Sequence, residues 1–511
     1  MRLSELLHGL PELTGGPAAP PDQDANQMDP EVTGVCHDSR RAAPGDVFVA
    51  LPGQRFDGRD YAAAAVEHGA VAVVAAPAAA PAAGSAAAPA AKDGLQRRAL
   101  HVPVVLASDP RGALAALAAR LYGHPDRELV MAGVTGTNGK TTVALLVAAI
   151  LDAAGLPAGF VGTVGYRFGN RQFPGAHTTP EASDLFRTLR AMRQAGARAV
   201  AMEVSSHALA MRRAAGVAFD TAVFTNLTRD HLDYHRDMDD YFSAKRQLFA
   251  QLKRGARAAV SVDDPYGRRL AGELPDAVTF GAGGDVEARR VRLHARGIEA
   301  ELETPRGPLA FSSPLVGRYN LDNLLAAAAA AEALALPHSA VAAAFAARQP
   351  IAGRMEPIDR GQPFAVFVDY AHTDAALAAA LRAVREVAAG GKVAVVFGCG
   401  GDRDPGKRPL MGRIAGELAD LPILTSDNPR SEDPLAILAA VEEGVRASGN
   451  RQYRVVPDRR EAIRLALAAA EPGWAVLVAG KGHEREQLVG NQRLPFSDHD
   501  EIGHALERRF G

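Results

Sequence analysis

Hydrophobic residues along this chain fall into short uninterrupted runs, each followed by a longer stretch in which apolar positions recur at helical spacing. Short apolar runs bounded by turn residues predict buried strands, and the stretches between them predict helices. Near the N-terminus the runs cover residues 46–51, 70–75 and 102–106, with helices expected over 61–68 and 109–122. From Leu129 the pattern becomes strand, glycine loop, helix: LVMAGVTG, TNGKTT, then VALLVAAILDAAG. Runs at 199–204 and 221–225 continue the alternation. Another set, at 364–368, 393–397, 423–425 and 475–479, follows Gly353-Arg354-Met355-Glu356. Strands alternating with helices predict an α/β protein built on parallel sheets that helices cover.

The chain has 511 residues, and at roughly 150 residues per domain its length predicts about three domains. The pattern divides into a small αβ domain over residues 1–108, a central parallel-sheet domain over 109–350 and a Rossmann-like domain over 351–511. Residues 75–91 form an alanine-rich tract broken by Pro77, Pro81, Gly84 and Pro89, expected to be a surface loop in the first domain. Hydrophobic residues at 47% and charged residues at 23% exclude disorder for most of the chain. Lys+Arg 57 against Asp+Glu 59 leaves a formal charge of −2, so nothing points to nucleic acid. The N-terminal MRLSELLHGLPEL carries Glu5, His8 and Glu12, unlike a signal peptide. Outside the alanine tract no apolar run reaches the about 18 residues of a membrane span. Two cysteines, Cys36 and Cys399, make no disulfide framework and fit a reducing cytoplasm.

The strongest chemical signal is the run from Gly133 to Thr142, GVTGTNGKTT. A glycine-rich turn between strand and helix lets backbone N–H groups approach a phosphate at the positive end of a helix. Lys140 is placed to reach the β- and γ-phosphates of a nucleotide, and the Thr141 hydroxyl to hold Mg²⁺. Gly136, Thr137, Asn138, Gly139 and Thr142 complete the loop. The strict phosphate-loop pattern is not met, because Val134 takes the first glycine position. A ligand-free tight turn is the bland alternative. Further on, EVSSH (Glu203 to His207) and TNLTRDHLDYH (Thr225 to His235) put carboxylate and imidazole groups after two strands. Open α/β sheets bind ligands at such strand ends. Glu203 suits Mg²⁺ as a hard oxygen ligand, His231 suits a second ion or a phosphate, and His207 and His235 are equally explained as structural.

GTNGKTT, EVSSH, TNLTRDHLDYH, YFSAK around Lys245, GRYNLDN, GRME and DYAHTD occur in that order. Together they resemble the Mur ligase family over nearly the whole chain, with the alanine tract as an unmatched insertion. The resemblance implies a three-domain fold and an ATP-dependent, ADP-forming amide ligase of peptidoglycan precursor synthesis, and so of cell-wall biogenesis, cell shape and cell division. It implies that Lys245 is modified to N6-carboxylysine, although a plain helical lysine is usually solvated. A carbamate offers Mg²⁺ the oxygen ligands that an ammonium cannot. The implied metal set is Thr141, Glu203, His231 and carboxylated Lys245. Asn320, Asn323 and Asp369 fall at nucleotide contacts, and Arg354 at a phosphate contact. Lys140, Lys245, Arg354 and His231 are the implied catalytic residues.

In the first domain HDSRR (His37 to Arg41), GDVFVA (Gly45 to Ala50) and GQRFDG (Gly53 to Gly58) resemble the segments with which the family's third ligase holds UDP-MurNAc-L-Ala-D-Glu. Ser39, Gln54, Arg55 and Phe56 are the implied nucleotide-sugar contacts. His177, Thr178, Thr179, Ser205, Met211 and Arg213 match positions at the peptidyl end. His177 replaces the asparagine often found there, and Met211 stands where some relatives carry glutamine. Asp427-Asn428-Pro429-Arg430 matches the motif of family members that add meso-diaminopimelate. Arg430 can pair bidentately with the distal carboxylate that lysine lacks, and Asp427 and Asn428 can accept from its ammonium. Arg403, Gly480 and Glu484 match the remaining acceptor contacts. Cys399 reads as a small buried residue.

The implied reaction passes through an acyl phosphate on the D-Glu γ-carboxylate, with Lys140, Arg354 and Mg²⁺ neutralising the migrating phosphoryl group. The partners are thus ATP, UDP-MurNAc-L-Ala-D-Glu and meso-diaminopimelate, with a monomer and no membrane insertion expected. Three alternatives stand beside this reading. They are lysine addition on the same fold, folylpolyglutamate synthesis, which shares the phosphate loop and modified lysine, and a nucleotide-switched binding protein without ligase activity.

Overall fold

The computed structural model describes residues 1–14, 29–53, 56–77, 100–175, 177–294, 297–347 and 351–510. Residues 78–91 of the alanine tract lie outside them. By contacts the chain divides into two units, one of Met1–Gly133, Leu156–Asp220 and Gln247–Gly255, the other of Val134–Gly155, Thr221–Arg246 and Ala256–Gly511. The boundary falls inside the strands Val130–Thr135 and Phe219–Phe224.

In the first unit Gly34–Cys36, Asp46–Ala50, Ala72–Ala75 and Val104–Leu106 form a four-stranded parallel sheet in chain order. Successive side chains alternate between its faces, so Val47, Val49 and Val74 pack with Leu114 and Leu117 of helix Pro110–Leu121. Phe48 and Val73 turn the other way, onto Ala62 and Ala65 of helix Ala62–Glu67. Both faces are covered, which is why these strands read as continuous apolar runs. Elsewhere in the unit Ala199–Glu203 pairs parallel with Ala158–Gly162. That strand continues antiparallel into Gly165–Phe168 and Arg171–Phe173.

The second unit holds the glycine loop, the helix Lys140–Ala153 and the helix Arg318–Ala333. It also carries a six-stranded sheet in the order Glu356–Pro357, Ala365–Asp369, Ala475–Ala479, Val393–Phe397, Leu421–Leu424 and Arg454–Val455. All but the first strand run parallel. Helices Asp374–Ala388, Lys407–Leu418 and Pro434–Ala447 cover one face, and Arg459–Ala469 with Asp498–Phe510 the other. This is the doubly wound arrangement that the alternating pattern predicts, and its carboxyl strand ends face loops rich in polar residues. Three helices start on an Asp-Pro pair, at Asp109, Asp264 and Asp433, where the carboxylate caps an early N–H and proline takes the first turn.

Besides the antiparallel strands over 158–173, two further hairpin systems among the described residues lie outside the sequence expectation. Glu287–His294, Gly297–Glu303 and Leu309–Ser313 form a three-stranded antiparallel sheet. The first of these strands is too charged to make an apolar run, and cross-strand pairs such as Arg289 with Glu303 supply its contacts. Glu486–Val489 and Gln492–Pro495 pair around the two-residue turn Gly490-Asn491, with Gly490 at φ +57°. That turn was a readable signal.

One ion pair is sealed from solvent. Arg459 donates through Nε and Nη2 to Asp498, at 2.8 and 2.7 Å, and through Nη2 to the Ala479 carbonyl at 2.9 Å. Both side chains are 0% exposed, and the pair ties the two helices of that face to the strand end at Ala479. Arg459→Met leaves a buried carboxylate alone and is expected to destabilise the protein by about 3–5 kcal/mol. Adding Asp498→Leu should recover most of that loss, both measured by urea denaturation of the C-terminal transition.

Candidate functional site

Glycine is required in the loop by close approach and backbone angle together. Gly136 sits at φ +145° and Gly139 at φ +86°. A Cβ on Gly136 would lie 1.9 Å from Thr225 Oγ1, and one on Gly139 2.3 Å from Asn323 Oδ1. The loop is braced by the segment that follows strand Phe219–Phe224. Asn138 N–H donates to Asn226 Oδ1 at 3.0 Å, Thr225 Oγ1 to the Asn138 carbonyl at 2.6 Å, and Thr137 Oγ1 to the Thr228 carbonyl at 3.2 Å. Asn226, Thr228 and Tyr241, whose hydroxyl is 3.2 Å from Thr137 Oγ1, are supports to which sequence reading assigned no role. Beside the loop lies a 250 Å³ cavity lined by Asn138, Gly139, Asp263, Tyr319, Asp322 and Asn323, among others. Asn323 donates to Asn320 at 3.1 Å, and Asn320 to the Val316 carbonyl at 2.8 Å, so Asn323 lines the cavity and buried Asn320 holds it from behind.

Lys140 Nζ donates to the carbonyls of Gly136 and Thr137 at 3.0 and 2.8 Å. Lys245 is 1% exposed, donates to the same Gly136 carbonyl at 2.6 Å and lies 4.4 Å from the centre of the Tyr241 ring. Burial, and then the charge of Lys140, push its pKa well below the lysine range. His231, at φ +56°, holds Nε2 3.5 Å from Asp230 Oδ2, and His372 Nε2 is 3.7 Å from the same atom. Burial pushes the Asp230 carboxyl up, but His372, His231 and Lys407 outweigh it and hold it below the usual carboxylate range.

Arg354 reaches the phosphate loop directly. Its Nη2 donates to Thr141 Oγ1 at 3.0 Å and its guanidinium stands 4.9 Å from the Tyr370 ring centre. The turn that carries it is fixed on both sides. Asp369 accepts from Met355 N–H at 2.7 Å and Ala371 N–H at 2.8 Å, and burial raises its pKa against the pull of Arg354. Glu356 accepts from Gly353 N–H and from His499 Nε2, both at 2.7 Å.

Of the predicted acceptor residues, Asp427, Asn428, Pro429, Arg430, Gly480 and Glu484 cluster at the carboxyl ends of strands Leu421–Leu424 and Ala475–Ala479. Asn428 Nδ2 donates to Glu484 Oε2 at 3.0 Å, and buried Lys481 donates to Asn428 Oδ1 at 3.0 Å and Glu484 at 2.9 Å. Lys481 had been passed over, because a lysine between glycines looks solvated in sequence. Arg430, at φ +52°, donates to the Gly401 carbonyl at 2.6 Å. Burial and then the charge of Arg403 lower its pKa, so the two predicted guanidinium groups share one electrostatic neighbourhood. Cys399 is 3% exposed, and burial pushes its thiol up to about 12.

In the first unit Ser39, Phe56 and His177 line one 630 Å³ cavity with His37, Asp38, Arg40 and Tyr61. Phe56 is 68% exposed, an apolar ring offered to solvent at the cavity's edge. Gln54 and Arg55 lie outside the described residues. Thr178 Oγ1 is 3.0 Å from Thr163 Oγ1, which with Thr163 N–H donates to Glu203 at 3.1 and 2.8 Å. Thr179 Oγ1 donates to the Glu203 carbonyl at 2.9 Å and accepts from Ser205 N–H at 3.1 Å. Arg213 stands 2.9 Å from Glu181 and donates to the Thr179 carbonyl at 3.4 Å. The Met211 carbonyl accepts from Arg111 at 3.3 Å, and its Sδ accepts from Arg213 Nη2 at 3.4 Å. Glu203 is 1% exposed and takes its recorded hydrogen bonds from neutral Thr163. A buried carboxylate bonded to neutral donors fits a divalent cation. Among the described residues no three His, Cys, Asp or Glu side chains group as a metal site, so such an ion would need hydroxyl, carbamate or ligand oxygens as well.

Three family models match the chain: the Mur ligase family catalytic domain over residues 31–122, the Mur ligase middle domain over 134–331 and the Mur ligase glutamate ligase domain over 353–482. A UDP-N-acetylmuramoyl-L-alanyl-D-glutamate–2,6-diaminopimelate ligase of Geobacter metallireducens is 43% identical, over 95% of this chain and 96% of its own. One of Streptomyces coelicolor is 44% identical over 94% of each. A solved structure of a ligase with this name superposes with a TM-score of 0.65 at 31% identity, covering 100% of this chain and 99% of that one. Folylpolyglutamate synthase of Mycobacterium tuberculosis, at 19% identity and a TM-score of 0.59, covers 72% of this chain and shares the fold.

The Glu356 carboxylate raises the pKa of His499 above its ordinary value near 6.5. A folded-state pKa raised above the unfolded one adds stability that is complete below the unfolded value and is lost as pH rises through the folded one. His499→Gln is therefore expected to lower the melting temperature at about pH 6 and to have a much smaller effect at about pH 9. Thermal scans of both proteins across that range check the sign, since Glu356 stays ionised throughout.

Proposed function

The chain belongs to the Mur ligase family, and from that membership we propose that it joins meso-diaminopimelate to UDP-MurNAc-L-Ala-D-Glu, converting ATP to ADP and phosphate. The observation that carries the acceptor assignment is the Arg403 and Arg430 pair at the carboxyl ends of the C-terminal sheet. Two neighbouring guanidinium groups are balanced by an acceptor with an extra carboxylate, and Asn428 with Glu484 suits its ammonium. Lysine lacks the distal carboxylate that these guanidinium groups could pair with, and the relatives' names do not favour it. Folylpolyglutamate synthesis has no use for the cavity around Ser39, Phe56 and His177, which suits a nucleotide sugar.

The three parts are assigned to residues 1–108 for UDP-MurNAc, 109–350 for ATP and 351–511 for the amino acid. The D-Glu γ-carboxylate oxygen attacks the γ-phosphorus, the bond to the bridging oxygen breaks, and ADP leaves. The diaminopimelate nitrogen then attacks the acyl carbon, the carbon–oxygen bond to phosphate breaks, and a proton is released. A free carboxylate would have to expel oxide, so phosphorylation supplies the leaving group. Lys140 exchanges its loop carbonyls for phosphate oxygens, and Arg354, already at Thr141, adds charge where the phosphoryl group migrates. Asp369 and Asn323 hold the nucleotide, and Ser39, Phe56, His177, Thr178, Thr179, Ser205 and Arg213 hold the nucleotide-sugar peptide. Lys245, whose pKa burial pushes well below the lysine range, is the amine that CO₂ would carboxylate. As a carbamate it would be a ligand for Mg²⁺, as Thr141, Glu203 and His231 would, and that ion would neutralise phosphate charge. The enzyme is placed in the cytoplasm as a monomer; both cysteines are free and buried.

Phosphate release with Mg-ATP and UDP-MurNAc-L-Ala-D-Glu should be strongly stimulated by meso-diaminopimelate and weakly by L-lysine. Arg430→Lys should abolish that preference, and equal turnover with both acceptors in the unmodified enzyme would refute the acceptor assignment. Arg354→Ala is expected to lower kcat by about 10²–10³-fold, and an unchanged kcat would remove it from the phosphoryl-transfer step.

A further inference from the structure

The segment Thr225–Asp230 touches the phosphate loop on one side and the acceptor part of the chain on the other. Toward the loop, Asn226 and Thr228 hold Asn138 and Thr137. The residue after Thr228 turns to a partner 175 positions away. Arg229 donates through Nε to Asp404 Oδ2 at 3.1 Å and through Nη2 to Oδ1 at 3.4 Å. The arginine is half-exposed and the carboxylate is buried. Space is shaped for the pair, since a Cβ on Gly406 would come within 2.7 Å of Arg229 Nη2. Asp404 also accepts from Gly406 N–H at 2.9 Å.

Asp404 follows Arg403, and its loop is tied to the turn that carries Arg430. Gly401 N–H donates to the Asn428 carbonyl at 2.9 Å, Arg430 to the Gly401 carbonyl at 2.6 Å and Ser431 Oγ to Asp402 at 2.6 Å. Arg408 donates to both oxygens of Glu432 at 2.8 and 2.9 Å. Hydrogen bonds thus run without a break in covalent or polar contact from Arg430, through the Gly401–Asp404 loop and Arg229, to Thr137 and Asn138. Arg229 and Asp404 form the two-bonded charged link in that series between the acceptor loop and the phosphate loop.

We propose that Arg229 and Asp404 are positioning residues that hold the acceptor loop in register with the phosphate loop, so that the amine meets the acyl phosphate before water does. The inference rests on the ligase reading above. Without the link, water attacks the acyl carbon, the bond to phosphate breaks, and the carboxylate is regenerated with loss of a proton. ATP is then consumed without amide.

The test measures ADP and amide together for Arg229→Gln, Asp404→Asn and the reversed pair Arg229→Asp/Asp404→Arg, with ATP and meso-diaminopimelate varied separately. Each single variant is expected to raise the acceptor KM by about fivefold or more and to form well under one amide per ADP. The KM for ATP should stay within about twofold, which also reports that the phosphate loop is folded. The reversed pair should regain coupling. Single variants that keep one amide per ADP and the original acceptor KM would overturn the proposal. So would an equal loss in the reversed pair, which marks a requirement for the individual residues. An unmodified enzyme that forms no amide with diaminopimelate fails one step earlier, at the ligase reading itself.

Discussion

Two lysine side chains, Lys140 and Lys245, converge on the carbonyl of Gly136, and the chemistry of the site follows from that crowding. Neighbouring ammonium groups repel each other most strongly where water is scarce. Burial beneath the Tyr241 ring, and then the charge of Lys140, push the Lys245 pKa down. A glycine loop that gathers two lysines concentrates positive potential at one place.

Holding this loop in shape takes residues from widely separated parts of the chain. Asn226 and Thr228 support it from one segment, Asn323 closes on Gly139 from another, and Arg354 reaches Thr141 from the C-terminal part. Arg354 is itself held by a short turn clamped between Asp369 and Glu356, and Glu356 is gripped by His499 on the last helix. The last helix therefore bears on an arginine that reaches the glycine loop at Thr141. Its own seating depends on the sealed Arg459–Asp498 pair, so stability and chemistry share one set of contacts there.

Much of this was legible in sequence, and for identifiable reasons. Buried parallel strands have to be apolar on both faces, so the runs at 46–51, 393–397 and 475–479 stood out and became Asp46–Ala50, Val393–Phe397 and Ala475–Ala479. The phosphate loop was visible because strand, glycine turn, lysine and threonine are adjacent in the chain. The sheet beginning at Glu287–His294 was invisible, since its first strand is charged and its other two bury side chains only at alternate positions rather than along a run. Arg229, Lys481 and Asp404 were passed over too, because a charged residue alone in sequence reads as solvated.

The order of motifs by itself determined the α/β class, the family and the strand, glycine turn and helix of the loop, because each depends on residues that are neighbours along the chain. Only the tertiary structure decided that Lys245 is sealed beside Lys140, that Arg430 and Arg403 share one neighbourhood, and that Arg229 pairs with Asp404. Those facts concern burial and the company of distant charges. Local spacing carries no record of either, since both arise only when segments distant in the chain pack together.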